Sequence, residues 1–298
     1  ASPTFEGIPE IDFSDPRAAG RPIVEACEEL GFFKLVNHGV PTELSSCLEN
    51  ESLRYFDLPQ TEKERLNSSP PVYGNKYIGR NGDVGCLEFL LFTAAATLRP
   101  PHLPPSLLCA VEKYREEIRG VASRVLEMMA AELRIFPGNK LSDMINDKRN
   151  DSCFRINRYQ QESRNLVGFG EHTDPQLISV ARSNSIGGLE IQSRGGAWAG
   201  VPPDEGALFF NVGDCLEVMT GGRFRSVRHR VVVASGGGGG GGQQRSRVSM
   251  IFFGAPPPSA KIEPLIGYYE GGGFTWSEYK RLCDGTRLSD DRLAVFVK

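Results

Sequence analysis

The stretch "GFGEHTDPQLISV", residues 168–180, sets His172 and Asp174 two positions apart in a run that otherwise reads as a buried strand, in a chain with four histidines in all. On an extended strand, residues i and i+2 share a face. An imidazole and a carboxylate on an inward face are costly unless something there binds them. Both are metal ligands, so one reading is part of a metal site. The other is a plain turn, because Asp174 precedes Pro175 and Asp-Pro initiates turns. The tripeptide alone leaves both open.

The same period of two recurs elsewhere. In "SVRHRVVV", Val227, His229, Val231 and Val233 share one face, and Arg228 and Arg230 take the other. His229 therefore points with the valines, either as an ordinary core histidine or as a ligand. It follows Asp174 by 55 positions, enough chain to return beside it across a β-fold. Two histidines and one carboxylate with open positions make the facial triad of non-haem Fe(II) oxygenases, and zinc hydrolases use the same donors. In "RVSMIFF", Arg247 and Ser249 share a face with Ile251. If that face is solvated the pair means little. If it is inward, a buried arginine needs an anion, and guanidinium plus hydroxyl suits a carboxylate. Asn157 and Tyr159 in "RINRY" add an amide and a phenol at the same spacing. Four such pairs on separate strands describe one barrel mouth holding a metal and an acid-binding socket.

The elements that must position these groups fall into two parts. "IPEIDF" (8–13) alternates as a strand, and Ser14 or Asp15 can cap a helix with Pro16 first, ending at Leu30 before Gly31. "FFKLVN" (32–37) is a strand and 41–59 a helix closed by its proline. Residues 68–85 are rich in Pro, Gly and Asn and read as a long loop. A helix is expected over 105–136, with Leu107, Val111, Tyr114, Ile118, Val121, Val125 and Met128 forming one stripe against a sheet. From residue 153 short runs follow at regular spacing: "CFRINRY", "QLISVA", "GLEIQ", "WAGVP", "ALFFNVG", "RHRVVV" and "RVSMIFF", separated by Gly-Gly turns. That is an antiparallel sandwich or jelly roll rather than βαβ units. The glycine run 236–242 reads as a flexible connector and lacks the Lys-Ser/Thr of a phosphate loop.

Composition narrows the classes further. The 298 residues are 40% hydrophobic and 24% charged, ordinary for a globular chain. A net charge of −3 provides no general attraction to nucleic acid or anionic membrane. No apolar run approaches the ~18 residues of a membrane span. The start, "ASPTFEGIPEIDF", has no signal-peptide pattern, although a leader could have preceded it. Seven scattered cysteines without a C-x-x-C point to neither a zinc knuckle nor a disulfide framework, so a reduced, cytoplasmic setting is expected.

The chain resembles the plant 2-oxoglutarate- and iron-dependent dioxygenases over essentially its full length. "GFFKLVNHGV" resembles their N-terminal signature, and "HTD", His229 and "RVS" resemble their H-x-D…H…R-x-S core. Within that family it is most similar to the gibberellin 2-oxidases, through 73–91, 168–184 and 212–232; Cys86 stands where those enzymes usually have Trp. The resemblance implies a mixed α/β chain with a double-stranded β-helix (jelly-roll) core and helices packed on one side. It implies an N-terminal domain over 1–100 and a catalytic domain over 101–298. It assigns His172, Asp174 and His229 to Fe(II), Arg247 and Ser249 to the distal carboxylate of 2-oxoglutarate, and Tyr159 and Asn157 to its support. Tyr73 and Tyr77 are expected to touch substrate, the loop at 68–85 and the segment after Ile251 to wall the pocket, and His38 to be structural. The implied reaction consumes dioxygen and 2-oxoglutarate, with ascorbate as an accessory reductant, and 2β-hydroxylates gibberellins, which inactivates them. The alternatives are a gibberellin 3-oxidase, a flavonoid hydroxylase or a non-catalytic jelly-roll binding protein. A small-molecule partner is expected, without nucleic acid or membrane, and a homo-oligomer is left open.

Overall fold

A computed structural model describes residues 4, 7–66, 72–78, 81–93, 103–160, 167–233, 246–270 and 273–296. The N-terminal part runs β1 (Glu10–Asp12), α1 (Pro16–Glu29), β2 (Phe32–Val36), α2 (Thr42–Phe56), α3 (Gln60–Arg65), β3 (Tyr73–Tyr77) and β4 (Val84–Thr93). Helices α4 (Pro105–Glu132) and α5 (Ser142–Asn146) follow, then β5 (Cys153–Tyr159), β6 (Val167–His172), β7 (Ile178–Ser183), β8 (Leu189–Gln192), β9 (Trp198–Gly200) and β10 (Leu208–Val212). The chain ends through α6 (Asp214–Met219), β11 (His229–Val232), β12 (Arg247–Gly254), the ribbon β13 (Lys261–Ile262) and β14 (Phe274–Thr275), and α7 (Trp276–Gly285).

Two sheets form the core. The major sheet has eight strands in the order β1-β2-β10-β7-β12-β5-β4-β3, and the minor sheet four in the order β6-β11-β8-β9. Helices α1, α2 and α4 lie against the outer face of the major sheet, where Phe154, Ile156, Val248, Met250 and Phe252 meet the α4 stripe in one apolar core. The expected jelly-roll class with helices on one side is the observed one. The stripe on α4 closes on Met129, fully buried, rather than on Met128, because a 3.6-residue period drifts by one position over that length.

Between the sheets, apolar packing fills both ends and leaves a polar centre. Leu87, Tyr159, Phe169, Val231 and Val233 pack at one end, and Phe32, Ile191, Phe209 and Val227 at the other. The close approach at the first end requires glycine: a Cβ on Gly85 would stand 2.2 Å from the Gly168 carbonyl.

Several expectations change. Residues 68–85 are not simply a loop, since 72–78 and 81–85 hold β3 and the start of β4 as a hairpin. Its register slips between Asn75 and Tyr77, at Lys76 with φ 62°, and this bulge breaks the alternation that would mark a strand. Strand β4 is buried on both faces along much of its length, so its apolar run carries no period of two. The helix expected over 41–59 stops at Phe56, and a new one starts after Pro59. The helix expected to 136 stops at Glu132, with Arg134 left-handed at φ 55°. The glycine run 236–242 lies outside the described residues. Among those described, no helix is long and apolar enough to cross a membrane, and the seven cysteines form no disulfide.

On the helix side of the sheet, Glu88 is fully buried and accepts from Lys63 Nζ at 2.6 Å, Tyr73 Oη at 2.9 Å and Arg158 Nε at 2.7 Å. These bonds tie α3 to β3, β4 and β5. Removing the anion would leave the buried Lys63 ammonium without a carboxylate, while Arg158 keeps Asp57. We expect Glu88→Leu to lower unfolding stability by about 3–5 kcal/mol, measured by urea denaturation.

Candidate active site

Strand β11 presents His229 inward between Val227 and Val231, as the alternation requires; all three are buried. It runs antiparallel to β6 with His229 directly opposite His172, and the rings stand 4.2 Å apart. Asp174 is not on the strand with His172. Strand β6 ends at His172, and the carboxylate comes from the turn that Pro175 enters. The turn expected at "HTDP" is thus present, and it brings the Asp174 carboxylate beside the two imidazoles.

The donor atoms of His172, Asp174 and His229 all lie within 4.8 Å of one another. Each histidine holds Nδ1 against a backbone carbonyl, His172 at Gly170 (2.8 Å) and His229 at Val227 (3.1 Å). A carbonyl only accepts, so Nδ1 carries a proton, and in the neutral ring Nε2 then keeps its lone pair. Those lone pairs face Asp174 Oδ1 at 3.6 and 3.7 Å, too far for hydrogen bonds and suited to a cation between them. Burial, then the neighbouring His229, pushes the His172 pKa well below the usual imidazole range. The ring is neutral, as a ligand must be. Two imidazoles and a carboxylate on one side of a point suit ferrous iron.

The other two pairs meet on the major sheet. Arg247 lies directly opposite Tyr159, and Ser249 opposite Asn157. Asn157 Nδ2 donates to Tyr159 Oη (3.2 Å) and Ser249 Oγ (3.3 Å), and Ser249 Oγ donates to Tyr159 Oη (3.4 Å). Arg247 is 6% exposed and donates through Nη1 to the Ile186 carbonyl at 2.5 Å, while its Nε is buried without a partner. Burial draws its pKa down, the mark of a guanidinium lacking a counter-ion. An incoming carboxylate would satisfy both deficits. All seven residues line one cavity, with Ile251 and Phe253 among its walls.

Tyr73 and Tyr77 do not belong to it. Tyr73 pairs with Leu90 across β3 and β4, and its hydroxyl bonds Glu88 on the face turned away from the cavity. Tyr77 is 68% exposed. No described residue of 68–85 lines the cavity. His38 is structural: its Nδ1 accepts from the Val40 amide and Nε2 donates to the Gly206 carbonyl.

Two features escape a sequence reading. Arg155, two positions before Asn157 on the same inward face, also lines the cavity; the period of two that marked Asn157 and Tyr159 extends to it. The second is a clamp behind the turn. Arg292 Nη2 donates to the Thr173 carbonyl (2.5 Å) and hydroxyl (3.2 Å), and its guanidinium lies 3.7 Å from Asp214. Asp214 accepts from Tyr279 Oη (2.5 Å) and Thr173 Oγ1 (3.2 Å), and its amide donates to the Asp174 carbonyl (2.7 Å). Gly213 permits this contact, since a Cβ there would meet the Gln176 carbonyl at 2.0 Å. No local pattern announces Arg292, which is 119 positions from Thr173.

Comparison with known proteins agrees with this geometry. Residues 150–256 match the 2OG-Fe(II) oxygenase superfamily model, and 8–85 match the model for the non-haem dioxygenase in morphine synthesis N-terminal region. The chain belongs to the 2OG-Fe(II) oxygenase superfamily and is an oxidoreductase that uses Fe(II), 2-oxoglutarate and dioxygen on a small molecule. It is 46% identical to "Gibberellin 2-beta-dioxygenase" from Phaseolus coccineus, covering 100% of this chain and 93% of that protein. It is 47% identical to "Gibberellin 2-beta-dioxygenase 2" from Arabidopsis thaliana, covering 99% and 89%. In fold it is similar to the crystal structure of JOX2 in complex with 2OG, Fe and JA, with a TM-score of 0.81, 24% identity, and coverage of 98% of this chain and 89% of that one.

The clamp holds the turn that carries Asp174. Arg292→Met should therefore raise the Fe(II) dissociation constant by about 10–100-fold, as loss of an outer hydrogen-bond partner does. Anaerobic Fe(II) titration, with circular dichroism to confirm folding, checks this.

Proposed function

We propose that this enzyme hydroxylates gibberellins at the 2β position and so inactivates them, with His172, Asp174 and His229 holding Fe(II) and Arg247 and Ser249 holding the distal carboxylate of 2-oxoglutarate. The observation that carries the site assignment is the convergence, in one cavity, of the ligand atoms of two imidazoles and a carboxylate with a buried guanidinium that no carboxylate pairs with among the described residues. The substrate assignment is supported by relatives of that printed activity at 46% and 47% identity over nearly the whole chain. Ascorbate as accessory reductant, a cytoplasmic location and a homo-oligomer belong to the same proposal. So does a division into residues 1–100 and 101–298, supported by separate family matches over 8–85 and 150–256.

Fe(II) and 2-oxoglutarate, when bound, supply the oxidising chemistry: dioxygen is consumed, 2-oxoglutarate leaves as succinate and CO₂, and the substrate gains a hydroxyl. The chain's own residues hold and exclude. The Nδ1–H bonds of His172 and His229 fix both rings with Nε2 inward. Asn157 and Tyr159 orient the Ser249 hydroxyl beside Arg247, so the diacid enters in one direction. Phe169, Leu189, Val231 and Phe253 supply apolar wall that excludes water from the reacting centre.

His229→Ala should abolish turnover and sharply weaken Fe(II) binding in a folded protein; unchanged iron affinity would refute the ligand assignment. Arg247→Lys keeps the charge and loses the fork, so the KM for 2-oxoglutarate should rise at least about tenfold, some 1.4 kcal/mol. A shift confined to the KM of the hydroxylated substrate would move Arg247 to that substrate instead. Incubation with a gibberellin panel and mass spectrometry of products tests the substrate. The expected product is the 2β-hydroxylated gibberellin; 3β-hydroxylation, or turnover of flavonoids alone, would overturn it.

A further inference from the structure

Two guanidiniums line the cavity, and 2-oxoglutarate accounts for only one. Of its two carboxylates, the proposed site gives one to Arg247 and the other to the metal. Arg155 lies four residues before Tyr159 on β5, facing inward at the level of Ile251, which places it about 13 Å along the strand from Tyr159 at ~3.3 Å per residue. Its Nε donates to Asn157 Oδ1 at 2.7 Å, and this bond sets the plane of the group. Aromatic rings cover that plane: its central carbon stands 3.9 Å from the Phe89 ring centroid and 5.1 Å from that of Phe169. Phe89 reaches this position because Gly74 faces it, where a Cβ would stand 2.2 Å from the ring.

With Nε engaged and the flat faces occupied, the edge carrying the terminal nitrogens remains. Nη2 is wholly enclosed and has no hydrogen-bond partner, and among the described residues no carboxylate pairs with the group. Burial draws its pKa down to about 10, which still leaves it cationic near neutrality. An enclosed cation with an unsatisfied terminal nitrogen beside a cavity favours an anion entering from that cavity. Phe169 stands between this group and the proposed metal end of the cavity: its ring centroid lies 5.1 Å from the Arg155 central carbon and 4.6 Å from the His172 ring centroid.

We propose that Arg155 is the anchor for a carboxylate on the substrate that is hydroxylated, pairing edge-on with the terminal nitrogens and fixing which C–H bond of an otherwise apolar skeleton faces the metal. Arg155 thus selects carboxylic acids over their neutral derivatives, and Arg247 selects the co-substrate. The inference rests on the reading of the enzyme as a hydroxylase of a carboxylated diterpenoid.

Its test is a calorimetric titration of the anaerobic Fe(II)- and 2-oxoglutarate-loaded protein with a gibberellin and with the methyl ester of the same gibberellin. Wild type should bind the free acid about tenfold or more tightly than the ester. Arg155→Met should bind the two within about threefold of each other, with 2-oxoglutarate affinity within about threefold of wild type. Arg155→Lys, which keeps the charge, should retain part of the preference and guards against a collapsed site. Full acid preference in Arg155→Met would overturn the proposal. A selective loss of 2-oxoglutarate affinity would do the same, assigning Arg155 to the co-substrate. If wild type binds neither form of any gibberellin, the gibberellin reading fails by itself. Arg155 is then decided separately by the same titrations with adamantane-1-carboxylic acid and its methyl ester.

Discussion

The donor atoms of His172, Asp174 and His229 stand too far apart to hydrogen-bond one another, in three buried residues that line one cavity. A buried carboxylate beside two buried imidazoles is favoured by a cation among them. Much of the remaining architecture serves that requirement. The minor sheet pairs β6 with β11 so that the two histidines are cross-strand neighbours. The apolar clusters at both ends of the inter-sheet space keep the centre dry, and this strengthens electrostatic attraction within it.

The carboxylate is the exposed weakness of this arrangement, because Asp174 comes from a turn while the histidines come from strands. Turns lack the ladder that locks a strand side chain in place. The molecule compensates with parts distant in sequence. Asp214 at the head of α6, Tyr279 of α7 and Arg292 near the C-terminus converge behind Thr173. Every link in that network is a hydrogen bond or ion pair between buried or partly buried groups, where such bonds are strongest. The segment after β12 therefore acts as a brace for the metal turn.

The cavity is organised by charge along one strand. Strand β5 places Tyr159, Asn157 and Arg155 in a row, with β12 answering as Arg247, Ser249 and Ile251. The row begins beside the Arg247 guanidinium and ends at the Arg155 guanidinium, which no carboxylate pairs with among the described residues. Asn157 bonds both Arg155 and the hydroxyls of Tyr159 and Ser249, so one amide joins the two ends of the row.

Short-range alternation made much of the site legible before any fold was known. A strand repeats every two residues, so "RINRY", "SVRHRVVV" and "RVSMIFF" each showed which side chains share a face. Family resemblance supplied the pairing of those faces into one centre. What alternation could not see were elements without it: β4, buried on both sides, the bulged β3, and the turn that carries Asp174. The expected substrate contact of Tyr73 belonged to a segment read as a loop, where no alternation showed that its hydroxyl turns to Glu88 and away from the cavity. The residues of the chain alone determined which groups were inward and what chemistry their types allow. Only the tertiary structure decided which of them meet, left Arg155 with no counter-ion among the described residues, and brought Arg292 to Thr173 across 119 positions. Facing is a local property of backbone geometry, while counter-ion pairing depends on contacts between segments that sequence distance does not encode.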